Sequence, residues 1–112
     1  MINYHNRLFR AAQNTENGET DSNTIFEYKQ IDKILTATYS GGQIVSGHLI
    51  GLVSSDGNIN MRYHQVNQKG ELMTGKCKSR PELLENGRIR LHEIWEWTSG
   101  DCSSGESILE EI

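Results

Sequence analysis

Apolar and polar residues alternate along short stretches of this chain, and glycines separate the stretches. The segment IRLHEIWEWTSG, 89–100, shows the pattern most clearly. Its odd positions hold Ile89, Leu91, Glu93, Trp95 and Trp97. Successive side chains of a β-strand point to opposite faces, so these five residues share one face. The pattern predicts a half-buried strand whose apolar face carries a single carboxylate, Glu93.

The same alternation predicts six strands and two flanking ones. The six cover 24–30, 33–39, 43–54, 58–66, 70–79 and 87–98, and the flanking segments are 7–12 and 106–111. Short polar connections such as SSDGN, 54–58, make consecutive strands antiparallel neighbours. SRPELLENG, 79–87, departs from this pattern, and its Pro81 in a first-turn position predicts one helical turn.

Two segments resemble each other closely enough to suggest an internal repeat. GQIVSG, 42–47, and GELMTG, 70–75, match in residue type at every position, with Tyr39 before the first copy and Tyr63 before the second. Either the chain repeats a hairpin unit, or a β-meander with glycine turns has produced the similarity without a repeat.

Six to eight antiparallel strands in 112 residues predict one all-β domain, 1–112. A flat sheet of these strands would leave both of its edges open. Closure removes the edges, so we expect a small up-and-down barrel, lipocalin-like or streptavidin-like, with an open, strongly curved sheet as the alternative. An unclosed sheet would also permit a homodimer through its edges.

Strand parity also predicts which side chains face the barrel interior. Several aromatic residues share the apolar faces with hydroxyl, amide and carboxylate groups, which is the composition of a small-molecule pocket. The candidate ligand-binding residues are Glu93, Tyr28, Tyr39, Tyr63, Gln65, Trp95 and Trp97.

Glu93 has three interpretations, because a buried carboxylate is costly without a partner. It forms an internal salt bridge, for which the candidate partners are Arg7, Arg10, Arg62, Arg88 and Arg90. Alternatively, it binds a cationic or hydrogen-bonding ligand, or it acts as a general acid or base with a raised pKa. The catalytic interpretation is the weakest, because the sequence shows no matched second catalytic group.

Composition narrows the function classes. A net charge of -4 and a pI near 5.5 disfavour nucleic-acid binding, and no apolar run is long enough to span a membrane or to serve as an export signal. We therefore expect a cytoplasmic protein in which Cys77 and Cys102 are free thiols. His5, His48, His64 and His92 lack metal-ligand spacing, and nucleotide-binding and nucleophile motifs are absent, so we expect no metal and no cofactor.

Longer blocks of the sequence carry a family resemblance. YSGGQIVSGHLIG, 39–51, MRYHQVNQKGELMTGKC, 61–77, and RIRLHEIWEWTSGDCSSGESILEEI, 88–112, resemble a family of small bacterial proteins of about this length. Members of that family often carry the label n-acetylglutamate synthase, which implies an acetyl-CoA-dependent acyltransferase. Such enzymes resemble the GNAT fold, which needs a pyrophosphate-binding turn at the start of a helix. The sequence offers neither, so only Glu93 and the tyrosines would remain as acid or base groups.

Three functional hypotheses follow. The first is non-catalytic binding of a small ligand in an aromatic-lined cavity that contains Glu93. The second is a protein-interaction module that uses an exposed surface or a sheet edge. The third is the acyltransferase that the family label implies.

Overall fold

The chain forms an eight-stranded antiparallel barrel, described for residues 2–112 by a computed structural model. The strands are β1 (Arg7–Asn14), β2 (Ile25–Ile31), β3 (Ile34–Gly41), β4 (Ile44–Val53), β5 (Ile59–Asn67), β6 (Leu72–Leu83), β7 (Ile89–Trp97) and β8 (Ser104–Glu111). Each strand pairs with the next, and β1 pairs with β8. The predicted all-β up-and-down barrel is confirmed, and the alternative of an open sheet is wrong. Since the sheet is closed over residues 2–112, dimerisation through its edges has no structural basis.

The parity predicted for β7 holds along its whole length. Its pairings with β6 and with β8 run without a register shift, so no bulge reverses the faces. Its buried residues are the five of the odd face, Ile89, Leu91, Glu93, Trp95 and Trp97. Glu93 is only 9% exposed, so the carboxylate does lie inside the barrel.

The helical turn predicted around Pro81 is wrong, because β6 continues through the proline to Leu83. The pairing of β6 with β5 ends at Ser79, whereas its pairing with β7 continues through Pro81. Beyond Ser79 one side of β6 therefore has no ladder partner. Proline lacks an N–H group and is tolerated in a strand at such a one-sided position.

The two ends of the barrel differ in how they are filled. We call the end with residues 2–6 and the loops 32–33, 54–58 and 84–88 the lower end. Tyr4 closes it from inside: its side chain is fully buried, contacts Phe9 and Tyr28, and donates a hydrogen bond to the carbonyl of Gly57 at 2.6 Å. The upper end carries the loops 15–24, 42–43, 68–71 and 98–103, and the interior beneath these loops is not fully packed.

Candidate functional site

A cavity of about 50 Å³ lies inside the upper half of the barrel. Six of the seven predicted ligand-binding residues line it: Tyr39, Tyr63, Gln65, Glu93, Trp95 and Trp97. Further wall residues are Asn14, Gly18, Glu19, Thr20, Phe26, Leu49, Met61, Cys77 and Ser107. Five of these fifteen residues are aromatic, and six others have amide, hydroxyl or carboxyl side chains.

Tyr28 is the predicted site residue that the barrel does not bring to the cavity wall. It lies in the packed lower half, where its ring is 4.7 Å from the ring of Phe9. Parity assigns a side chain to the interior but does not say which half of the barrel it reaches. The Tyr28 hydroxyl is buried without a hydrogen-bond partner among the described residues, and burial, followed by the charge of Glu93, raises its pKa well above 10.

Glycines on neighbouring strands hold three of the wall aromatics in place. In each case the aromatic residue stands directly opposite a glycine of the next strand, and a Cβ atom on that glycine would overlap the ring. The pairs are Tyr39 with Gly47, Tyr63 with Gly75, and Trp95 with Gly105. Glycine in a strand interior often marks such a close approach. Gly47 and Gly75 end the two copies of the suspected repeat, so the similarity of these copies has a packing function.

Glu93 is held by the hydroxyl groups of its two cross-strand neighbours. Ser79 on β6 donates a hydrogen bond to Glu93 Oε2 at 2.6 Å, and Ser107 on β8 donates one to Glu93 Oε1 at 3.0 Å. Burial raises the pKa of Glu93 above its ordinary 4.5, and the two serine hydrogen bonds oppose part of that increase. The site therefore contains a buried carboxyl group whose hydrogen-bond donors are neutral hydroxyl groups instead of a positively charged side chain.

The internal salt bridge expected for Glu93 is not formed within residues 2–112. Arg7 pairs with Glu111 at the lower end of the barrel, and Arg90 pairs with Glu82 and Glu110 on its outer surface. Arg62 is exposed and donates to Asn60. Arg10 and Arg88 are exposed, and no arginine is among the described residues that line the cavity. The partners of Glu93 are therefore the hydroxyl groups of Ser79 and Ser107.

A second carboxylate, Glu19, enters the site from the loop 15–24. Gln65 Nε2 donates to Glu19 Oε1 at 2.8 Å, and Asn67 Nδ2 donates to Glu19 Oε2 at 2.7 Å. The Tyr39 hydroxyl donates to Gln65 Oε1 at 2.7 Å, which directs the Gln65 amide nitrogen towards Glu19. Both amides are thus oriented to hold the Glu19 carboxylate at the upper end.

The loop 15–24, which we call the lid, covers the cavity and is fastened to its wall. The indole N–H of Trp97 donates to the carbonyl of Asn17 at 2.9 Å, and Asn17 Nδ2 in turn donates to the carbonyl of Ser104 at 2.8 Å. At the base of the lid, the indole N–H of Trp95 donates to Asn14 Oδ1 at 3.0 Å. The backbone N–H of Thr15, at the start of the lid, also donates to the carbonyl of Glu106 at 3.1 Å. The side-chain hydrogen bonds that hold the rest of the lid open more easily than the strand pairing beneath it.

Sequence reasoning missed several residues of the cavity wall and of the surroundings of Glu93. Ser79 and Ser107 could have been predicted from the sequence, because both lie at inward positions of β6 and β8, the strands that flank β7. Alignment of these three strands would have placed both serines beside Glu93. Cys77 also faces inward, and burial, with the nearby charge of Glu93, raises its pKa well above 9.0. No sequence pattern predicts that Glu19 belongs to the site, because its position depends on how a polar loop folds back over the barrel.

The histidines lie outside this cavity. The rings of His48 and His64 are 5.4 Å apart on the outer surface, where His64 is exposed, and half-buried His92 hydrogen-bonds to Glu82 at 2.8 Å. Within residues 2–112, no three His, Cys, Asp or Glu residues are grouped so that they could hold a metal ion. Cys102 is an exposed free thiol.

A shallow groove of about 830 Å³ crosses the outer surface of β4 to β8. Leu52 and Ile94 lie in it and are 61% and 65% exposed. Lys78 on β6 lies between Leu52 and Ile94 and pairs with Ile94 on β7. Glu106 on β8 pairs with Ile94 on its other side. The groove therefore combines exposed apolar side chains with charges of both signs.

No helix within residues 2–112 is long and apolar enough to cross a membrane.

Comparison with known proteins assigns a family. No curated protein and no solved structure matches the chain. A family model described as "Avidin-like protein" matches residues 2–112, which include the whole barrel. This match overturns the resemblance to the proteins labelled n-acetylglutamate synthase, on which the acyltransferase alternative rested. The chain belongs to the avidin-like protein family.

Proposed function

We propose that this protein binds a small organic ligand in the cavity of the barrel without converting it chemically. One observation carries the proposal: the upper half of the barrel leaves a space at which five aromatic side chains and several oriented polar groups converge. A core that served stability alone would be expected to be filled at this point. Apolar walls with a few convergent polar groups are typical of ligand sites.

The wall chemistry favours binding over catalysis. Cys77, the thiol in the wall, has a raised pKa and therefore stays protonated, and a protonated thiol is a poor nucleophile. The hydrogen-bond pattern around Glu93 and Gln65 is already fixed by Ser79, Ser107 and Tyr39. Preorganised groups of this kind select a ligand and fix its orientation.

The size of the cavity restricts the ligand or requires the lid to move. A volume of about 50 Å³ is far below the roughly 300 Å³ at the lower limit of ordinary ligand pockets. Either the ligand is very small, or the lid opens by breaking the contacts of Glu19 and Asn17. Membership of the avidin-like family supports ligand binding and makes biotin a compound to test.

The test uses the two tryptophans of the chain, since Trp95 and Trp97 both line the cavity and their emission reports on it directly. Biotin, acetyl-CoA, glutamate, small hydrophobic acids and small amines are titrated while emission and melting temperature are recorded. A true ligand changes the emission and stabilises the fold, by about 2.7 kcal/mol at a hundred times its Kd. In Glu93→Gln both responses should weaken, whereas Glu96→Gln, on the exposed face, should behave like the wild type. A panel that moves neither signal would contradict the proposal.

A second candidate function is self-association through the outer groove. Leu52 and Ile94 supply exposed apolar surface, and a second copy related by a twofold axis could place Lys78 opposite Glu106. Light scattering should then give twice the chain mass of 12.7 kDa, and Ile94→Lys should restore the monomer. A wild-type protein that is monomeric at every concentration tested would rule this function out.

A further inference from the structure

We propose that the ligand of the cavity is a small organic cation of the alkylammonium class. The inference rests on the proposed function and adds the charge type of the ligand to it. Three features of the cavity support it: its acidic groups, its arrangement of aromatic rings and its unused hydrogen-bond acceptors.

The charged groups of the wall are all acidic. Glu93 lies at the side of the cavity and Glu19 lies at its upper end, and the described lining residues include no lysine, arginine or histidine. The groups that hold the two carboxylates are serine hydroxyls and side-chain amides, which are neutral. An anionic ligand would meet repulsion here, whereas a cation would supply the counter-charge that both carboxylates lack.

The aromatic rings surround the cavity with their planes in different directions. The rings of Trp95 and Trp97 are 5.5 Å apart at an interplanar angle of 61°, and those of Tyr63 and Trp97 are 5.8 Å apart at 68°. Phe26, stacked on Tyr39 at 4.6 Å, completes the wall. Aromatic side chains of different orientation thus border one small space. Aromatic rings attract alkylated ammonium groups through cation–π contacts, with tryptophan the strongest contributor.

The hydrogen-bonding capacity of the cavity wall also favours a cationic ligand. Each oxygen of Glu93 accepts one hydrogen bond from a serine, and a carboxylate oxygen can accept about two. With the Cys77 thiol as a further donor, at least one acceptor position of Glu93 remains open for an N–H donor. The Gln65 amide uses one lone pair of its oxygen and one of its two N–H groups, so it retains one acceptor and one donor position. Each oxygen of Glu19 accepts one hydrogen bond and retains capacity for another. The free capacity of this site is mainly for accepting hydrogen bonds, which suits a protonated amine.

The experiment compares ligands of similar shape and different charge. Methylammonium, trimethylammonium and tetramethylammonium are titrated against the intact protein at constant ionic strength, with tert-butanol as the neutral analogue and pivalate as the anionic one. Emission of Trp95 and Trp97 provides the signal, and melting temperature provides an independent one. We expect the best cation to bind at least about tenfold more tightly than tert-butanol, and pivalate to bind more weakly than either.

Two variants test the carboxylates separately. Glu93→Gln and Glu19→Gln should each weaken cation binding by about tenfold or more while leaving the affinity for tert-butanol nearly unchanged. Glu96→Gln is the matched control, because Glu96 lies on β7 with its side chain half-exposed outside the barrel. Unchanged cation affinity in both site variants would overturn the assignment of charge recognition to these groups.

The outcomes separate this inference from the proposed function. If tert-butanol or pivalate binds as tightly as the best cation, the cavity binds ligands but the inference about their charge is wrong. If no compound in this series or in the wider panel changes the tryptophan emission, the inference and the proposed function both fail.

Discussion

Replacing Gly75 with alanine is expected to destabilise the barrel by roughly 1–3 kcal/mol, the usual cost of forcing an extra methyl group into a packed interior. The added Cβ would overlap the ring of Tyr63, which lies directly across from Gly75 on β5. Tyr63 would have to turn away, and its movement would disturb Trp97, against which it packs edge to face. The same substitution should therefore weaken any ligand response detected through tryptophan emission.

A double-mutant cycle checks the stated cause. Urea unfolding is measured for the wild type, Gly75→Ala, Tyr63→Ala and the double variant. Because the clash requires the ring, the alanine at position 75 should cost much less once Tyr63 is truncated, with a coupling energy of about 0.5–3 kcal/mol. If Gly75→Ala costs the same in both backgrounds, backbone effects explain the loss and the glycine does not serve to seat the ring.

Replacing Glu93 with glutamine is expected to stabilise the protein at neutral and alkaline pH, by on the order of 1–3 kcal/mol, the mutational range for an incompletely compensated buried polar group. Glutamine keeps the volume of glutamate and can accept a hydrogen bond from one serine hydroxyl while it donates one to the other. The variant therefore removes a buried carboxyl group without leaving Ser79 or Ser107 unpaired.

The effect of Glu93→Gln should depend on pH in a defined direction. Burial raises the folded-state pKa of Glu93 above 4.5, so at intermediate pH the folded protein retains a proton that the unfolded chain has lost. Unfolding then releases a proton, and the wild type loses stability as pH rises from about the unfolded pKa to the folded one. Below that window the glutamate is protonated in both states, so the advantage of the variant should be small.

Urea unfolding at a series of pH values from 4 to 9 measures this dependence, with Glu96→Gln as the control on the exposed face. We expect the difference between wild type and Glu93→Gln to grow as pH rises and then to level off. A variant that is less stable than the wild type at every pH would mean that the ionised carboxylate stabilises the fold, as it would in a salt bridge.

The alternation of apolar and polar residues was sufficient to predict the barrel. All eight strands were located to within a few residues, and parity correctly placed Tyr39, Tyr63, Gln65 and Glu93 inside. These are local properties, because a strand that is buried on one face must show period two in its own sequence. Pro81 misled the prediction, since the one-sided pairing that tolerates it depends on where the neighbouring strand β5 ends.

The amino-acid sequence by itself determined the fold class, the parity of each strand and the presence of a carboxylate among aromatic side chains. Only the tertiary structure decided what surrounds that carboxylate. Ser79 and Ser107 meet Glu93 because of strand register, and Glu19 reaches the cavity because the lid folds back over it. Register and loop placement follow from contacts between residues far apart in the chain, and local periodicity carries no record of those contacts.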